Sequence, residues 1–425
     1  MVPYTTMTKE QLQEEYNDLL RAYESCKAKN LKLNMARGKP SQKQLDMVSD
    51  ILRILPDEKM CIAEGIDTRN YGELSGIPCA KKYWADVLGC RPEQTFIGGT
   101  SSLTLMYDMI SRAYTHGLLH SVKPWCKEEK IKFLCPSPGY DRHFRITEAF
   151  GAELITVPML ADGPDMDLVE SLVADPAVKG IWCVPKYSNP DGIIYSNETI
   201  HRLAALKPAA PDFTIMWDNA YCVHEFEGSY VPFPDILSIC AEAGNPDMVY
   251  EFASTSKITF PGAGISVIAA SEANIQYVSK LAEVQMISYD KVNQLRHVLY
   301  LKDKAHTLEL MKRHAQIMQP KFQAVFHALE TQIDPLGFAN WIRPAGGYFV
   351  SLNTMPGTAK RALALCKDAG VVMTSAGATF PYGNDPQDSN IRIAPSLPPV
   401  EELEVAMNVF CICLKLAAVE HLINQ

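Results

Sequence analysis

Lys257 stands at the end of Ser254-Thr255-Ser256-Lys257, directly after the apolar run Met248-Val249-Tyr250-Glu251-Phe252 and before Phe260-Pro261-Gly262-Ala263-Gly264. A lysine at a strand exit, with hydroxyls before it and small residues after it, meets a ligand without a backbone clash, and its amine can form a Schiff base. By itself the tetrapeptide also fits a solvated loop, so its weight comes from its company. Phe96-Ile97-Gly98-Gly99-Thr100-Ser101-Ser102 reads as a strand, a glycine turn and the start of a helix bearing Leu103, Met106, Tyr107, Ile110 and Tyr114. Free N–H groups at a helix start, with the positive end of its dipole, favour phosphate, and the hydroxyls of Thr100 and Ser101 add donors. Simple capping by Thr or Ser is the competing reading.

Three more apolar runs end abruptly in polar residues. Ile131-Lys132-Phe133-Leu134-Cys135 leads to Pro136-Ser137-Pro138-Gly139-Tyr140, and Ile181-Trp182-Cys183-Val184 leads to Pro185-Lys186-Tyr187-Ser188-Asn189-Pro190-Asp191-Gly192. Phe213-Thr214-Ile215-Met216-Trp217 leads to Asp218-Asn219-Ala220-Tyr221. Alternating with helical stretches, such runs read as buried strands of a mainly parallel sheet, where ligands sit beyond the carboxyl ends. The polar residues therefore converge on one crevice. In isolation Asp218 is equally a helix cap, Tyr140 a core aromatic, Asn189 a turn former and Arg392 an ion-pair member. Together with Lys257 and the phosphate seat they are what a pyridoxal 5′-phosphate site needs: an amine, a ring-stacking aromatic and a carboxylate for a protonated ring nitrogen.

The elements that must hold these residues follow from periodicity. Thr8 and Gln11 form a capping box, after which Leu12, Tyr16, Leu19, Leu20 and Tyr23 share one face of an amphipathic helix. Asn34-Met35-Ala36-Arg37-Gly38-Lys39-Pro40 brings two cations and a glycine into a loop that can gate an anionic substrate or serve as a linker. Arg69-Asn70-Tyr71-Gly72-Glu73-Leu74-Ser75-Gly76 is rich in turn residues. After the strand Ile265–Ala270, helices extend to about residue 330, with the polar segment Ser288-Tyr289-Asp290-Lys291 among them. Trp341–Val350 and Asn390–Ala394 read as strands of a second sheet, and the last helix buries Leu403, Met407, Phe410 and Leu414. The expected architecture is α/β, with a large cofactor domain over 61–300, its mainly parallel sheet flanked by helices. A smaller α/β domain is built from both chain termini, 1–60 and 301–425.

At 425 residues, with 47% hydrophobic and 21% charged residues, a large core is available. The formal charge of −9 argues against a nucleic-acid partner. Twelve scattered cysteines without zinc spacing read as core residues of a reduced, cytoplasmic protein, and no metal site is expected. No signal-like start and no uncharged stretch of membrane-spanning length is found, so no membrane partner is expected.

In these motifs the chain resembles the fold-type I, class I aminotransferases over nearly its whole length, and in particular a divergent aspartate-aminotransferase-like branch, subgroup Ic. The resemblance implies that Gly99, Thr100 and Ser101 bind the cofactor phosphate together with Ser254 and Ser256, that Tyr140 covers the pyridine ring, and that His143 supports Asp218. It further implies that Asp218 pairs with the ring nitrogen, that Asn189 and Tyr221 bond the ring hydroxyl, and that Lys257 holds the cofactor. Arg392 then grips the substrate α-carboxylate, with Asn189 and Gly38 nearby. Tyr71 is similar to a tyrosine that reaches the phosphate across a dimer interface, which implies a homodimer with shared active sites. Two departures stand out. Asn189-Pro190-Asp191-Gly192 replaces the usual Asn-Pro-Thr-Gly, and no arginine follows Lys257 in Pro261-Gly262-Ala263-Gly264-Ile265. The expected reaction is ping-pong transamination between aspartate or glutamate and a 2-oxo acid, with Arg37, Lys39 and Arg296 as candidate cations for the distal carboxylate. A β-lyase on the same scaffold, or a non-catalytic effector-binding module, are the alternatives.

Overall fold

Eight strands build the central sheet: β1 (Thr95–Ile97), β2 (Lys132–Ser137), β3 (Glu153–Leu160), β4 (Gly163–Pro164), β5 (Val178–Cys183), β6 (Thr214–Asp218), β7 (Val249–Ser254) and β8 (Ser266–Ala270). Their order is β1-β8-β7-β6-β5-β2-β3-β4 in this computed structural model, which describes residues 2–425. All run in one direction except β4 and β8, so the sheet is mainly parallel, as expected. β8 reverses because only residues 255–265 separate it from β7, too few for the helical crossover that a parallel neighbour requires. Every residue of β5, β6 and β8 is buried. That is why those segments read as continuous apolar runs without alternation.

The flanking and terminal helices used below are α1 (Lys9–Lys27), α2 (Ser102–Thr115), α3 (Asp141–Ala149), α4 (Lys291–Leu301), α5 (Lys304–Gln332), α6 (Ala359–Asp368) and α7 (Val400–Ile423). Thr8 caps α1 as its sequence indicates: Oγ1 accepts from the Gln11 N–H at 3.3 Å, and Gln11 Oε1 accepts from the Thr8 N–H at 2.9 Å. Leu12, Leu19 and Tyr23 of that helix are buried in one core with α5, α6 and α7. Leu33–Asn34 pairs in parallel with Val371–Val372, which ties the N-terminal segment to the C-terminal part of the chain. A second core on one face of the large sheet runs from Val48 to Met311.

One expectation needs correction. Trp341–Val350 is not one strand: β9 (Asn340–Trp341) and β10 (Val350–Asn353) are separate, and with β11 (Asn390–Ile393) they form a small antiparallel sheet. Pro344 supplies no N–H, Gly347 adopts φ +81°, and a Cβ on Gly346 would come within 2.4 Å of the Tyr187 ring, so the intervening stretch cannot stay extended. The final helix buries Leu403, Met407, Phe410 and Leu414, as expected. α7 is, among the described residues, one helix long and apolar enough to cross a membrane. Beyond Leu403, Met407, Phe410 and Leu414 it buries Cys411, Cys413, Leu416 and Ala417 among α1, α5 and α6.

Candidate active site

Because their strands run in parallel, the ends of β1, β2, β5, β6 and β7 present their exits on one edge of the sheet. Asp218 is the last residue of β6, and Lys257 lies three residues past the end of β7 at Ser254. β6 and β7 are adjacent, with Phe252 opposite Asp218. The electrostatics couple the pair. Burial holds the Lys257 amine below the usual lysine range, and the Asp218 carboxylate pulls the other way. Lys257 Nζ stands 4.9 Å from the centre of the Tyr221 ring and 5.8 Å from that of Tyr348.

Asp218 is oriented from behind. Its Oδ2 lies 2.9 Å from His143 Nε2, and both side chains are buried. The imidazole is sandwiched: it stacks on Trp182 at 4.5 Å with a 10° tilt and meets the edge of Tyr140 at 4.9 Å. Asp218 Oδ1 is buried without a hydrogen-bond partner. An orphaned carboxylate oxygen is costly to bury unless a cationic or N–H group comes to meet it. Burial, with Asp218 second, pushes the Tyr140 phenol up to about 12, so it stays protonated.

Arg392, on β11, reaches the same space from the small sheet. Its Nη1 donates to Asn189 Oδ1 and to Asp141 Oδ1, each at 3.2 Å, and its guanidinium lies 4.9 Å from the centre of the Phe349 ring. Its Nε is buried and has no acceptor. Gly38 packs against the same Phe349 ring, where a Cβ would come within 2.5 Å of Cζ.

The residues expected to seat a phosphate lie together, joined through hydroxyls and backbone. Ser254 Oγ donates to Ser256 Oγ at 3.0 Å, and Ser256 Oγ faces the Thr100 carbonyl at 3.4 Å. Ser266 Oγ donates to the Gly99 carbonyl at 2.8 Å. Gly264 completes the approach, since a Cβ there would meet Thr255 Oγ1 at 2.9 Å and the Thr100 carbonyl at 3.2 Å. Ser101 caps α2 by accepting from the Leu103 N–H at 3.2 Å, so the capping reading also holds for that residue.

Three predicted residues do not join the cluster within one chain. Tyr71 is 79% exposed, and its loop is pinned instead by the buried Lys291, whose Nζ donates to the carbonyls of Asn70 and Gly72. Arg37 is exposed, and Arg296 is half-buried on α4 with Nε unpartnered; neither has an ion pair among the described residues. Conversely, sequence reasoning missed Asp141, Trp182, Tyr348 and Phe349. Trp182 had a weak signal, as an indole in a strand leading to the site, a place Trp217 shares. Phe349 had none beyond the preceding glycine pair. A cavity of about 520 Å³ at the amino-terminal ends of β6 and β7, lined by His120, Asp212 and Asp247, lies at the opposite edge of the sheet.

The donor set fits a phosphorylated, protonated heterocycle carrying an aldehyde: a buried amine, an unpaired carboxylate oxygen, a tyrosine ring and a hydroxyl-lined helix start. Comparison with known proteins agrees. The profile of the aspartate amino-transferase family matches residues 7–425. An aspartate aminotransferase of Corynebacterium glutamicum is 47% identical over 409 residues, covering 96% of this chain and 95% of that protein. The crystal structure of an aspartate transaminase from the same organism superposes with a TM-score of 0.97 at 46% identity, over 99% of each chain. A 2-aminoadipate transaminase of Thermus thermophilus is 24% identical over 294 residues, 69% of this chain and 68% of that one.

Proposed function

The chain belongs to the aspartate aminotransferase family, and on that premise we propose that it moves the amino group of aspartate or glutamate to a 2-oxo acid in a ping-pong cycle, using pyridoxal 5′-phosphate. The observation that carries this reading is the buried, unpartnered Asp218 Oδ1 beside the depressed amine of Lys257. When bound, the cofactor supplies an electron sink conjugated to the substrate α-carbon. Lys257 holds it and, once its amine is free, moves the α-proton. Burial favours the neutral amine that this task needs. Asp218, fixed by His143, keeps the ring nitrogen protonated, and Tyr140 covers the ring.

Asn189 and Tyr221 bond the ring hydroxyl, while Gly99, Thr100, Ser101, Ser254 and Ser256 hold the phosphate. Arg392, with its free Nε edge, orients the α-carboxylate so that one bond at the α-carbon is set for cleavage. Arg37 or Arg296 receives the distal carboxylate, since both are cations without an ion pair among the described residues. Tyr71 serves the site of a second copy in a homodimer, for which its exposure leaves it available. A reduced cytoplasmic setting suits the twelve free thiols, nine of them buried.

The test is a half-reaction screen in which single amino acids are added to the loaded enzyme and its absorbance is followed. Aspartate and glutamate are expected to convert it readily, and neutral amino acids such as alanine far more slowly. Release of ammonia and pyruvate without any acceptor would instead establish a lyase. Arg37→Ala or Arg296→Ala is expected to raise KM for aspartate about ten-fold or more, as loss of a charged hydrogen bond implies, and to leave KM for alanine nearly unchanged. Equal effects on both substrates would remove these cations from the distal pocket.

A further inference from the structure

Tyr348 and Phe349 are neighbours in sequence, and each faces one cation of the site: Lys257 Nζ lies 5.8 Å from the Tyr348 ring centre, and the Arg392 guanidinium lies 4.9 Å from that of Phe349. One N-terminal segment braces both rings. Gly38 abuts Phe349, and six residues later Gln44 Nε2 donates to the Tyr348 hydroxyl at 3.2 Å. Gln44 cannot turn over, because its Oε1 already accepts from the Ser41 N–H at 2.9 Å and from the Ser41 hydroxyl at 3.1 Å.

Both amide protons are therefore committed, one to Tyr348 and the other to His314 Nδ1 at 3.2 Å. His314 Nε2 faces the carbonyl of Ile258 at 3.0 Å. A carbonyl only accepts, so Nε2 carries the ring proton and Nδ1 is left to receive Gln44. Burial keeps this imidazole neutral, with its pKa pushed down to about 4. Gln44, His314 and Tyr348 are all buried, and each hydrogen bond between them is satisfied away from water.

We propose that Gln44 is a positioning residue for Lys257, acting through the Tyr348 ring on one side and, through His314, on the backbone carbonyl of the residue that follows the lysine on the other. Packing alone does not ask for an amide at this position, and a methionine would fill the same volume. What the amide adds is a fixed distance between the ring that faces the amine and the backbone that carries it. The same segment, through Gly38 and Phe349, sets Arg392, so amine and guanidinium are spaced by one element. The importance of this spacing rests on the aminotransferase reading, but the position and titration of Lys257 belong to the chain itself.

The groups facing the Lys257 amine are Asp218, Tyr221, His224 and Tyr348. The experiment follows acylation of Lys257 against pH in the full chain stripped of cofactor, resolved by peptide mass spectrometry. Loosening Tyr348 weakens its hold on the ammonium form. Gln44→Met is expected to lower the Lys257 midpoint by about half a pH unit, roughly three-fold more free amine at a given pH below it. Tyr348→Leu should lower it at least as much, and the double variant by less than the sum of the two. A Gln44→Met protein that melts earlier yet titrates like the parent overturns the proposal, as does full additivity. Should Gln44→Met not fold, Tyr348→Phe deletes only the hydroxyl that receives Gln44 and must shift the midpoint the same way. A parent chain whose Lys257 titrates but which never takes up pyridoxal phosphate would sink the functional reading and leave this test legible.

Discussion

Two residues past Asn189, the carboxyl of Asp191 is buried, and burial pushes its pKa up from 3.8 to about 6, with Ser351 pulling the other way. The native state therefore keeps this proton through a range in which the unfolded chain has lost it. Stability from this group is intact below about pH 4 and falls as pH rises through 6, by about 3 kcal/mol. Asp191→Asn is expected to leave the melting temperature unchanged at pH 4 and raise it by a few degrees at pH 8. An equal shift at both pH values would show that burial of charge is not the cause. The residue scale also shows what types and spacing could reveal. Lys257, Asp218, Asn189 and Tyr140 each follow an apolar run, so their convergence was legible. Asp141 and Phe349 were not, because their roles depend on touching Arg392, which comes from elsewhere in the chain.

At the scale of elements, the segment around Gly38 illustrates how a loop of unremarkable composition becomes a fixed part of the site. A methyl group on Gly38 must push the Phe349 ring, and that ring lies against Arg392. Gly38→Ala is accordingly expected to raise KM for every amino acid substrate about ten-fold, with a smaller change in kcat, since overpacking of this kind costs about 1 to 3 kcal/mol. Steady-state kinetics with aspartate, glutamate and alanine checks it, and an unchanged KM would mean that the ring yields without moving the guanidinium. Element boundaries were less legible than element types. β7 and β11 were readable as apolar runs, whereas the stretch between β9 and β10 has strand-like composition and loses its pairing to Pro344 and Gly347.

Taken as a whole molecule, the chain leaves Tyr71 in solvent, on a loop anchored by Lys291. If the homodimer proposed above shares its sites, two inactive variants complement each other. Co-expressed Tyr71→Ala and Lys257→Ala chains should form mixed dimers with one complete site, restoring about a quarter of the parent activity from random pairing. Activity no greater than that of the separate variants would place Tyr71 outside the partner's site. α7 belongs to this scale as well. It is apolar on nearly every side, and the packing of α1, α5 and α6 around it accounts for that.

The sequence by itself determined the fold class and set Lys257 and Asp218 at the exits of two buried strands. Those features arise from strand exits and local turn chemistry, which leave marks within a few consecutive residues. The tertiary structure alone decided that Gly38 and Arg392 meet the same Phe349 ring, that His143 rests on Trp182, and that Gln44 bonds both Tyr348 and His314. These contacts join residues tens to hundreds of positions apart. No local periodicity encodes such a distance, because it is set by how remote segments of one chain pack against each other.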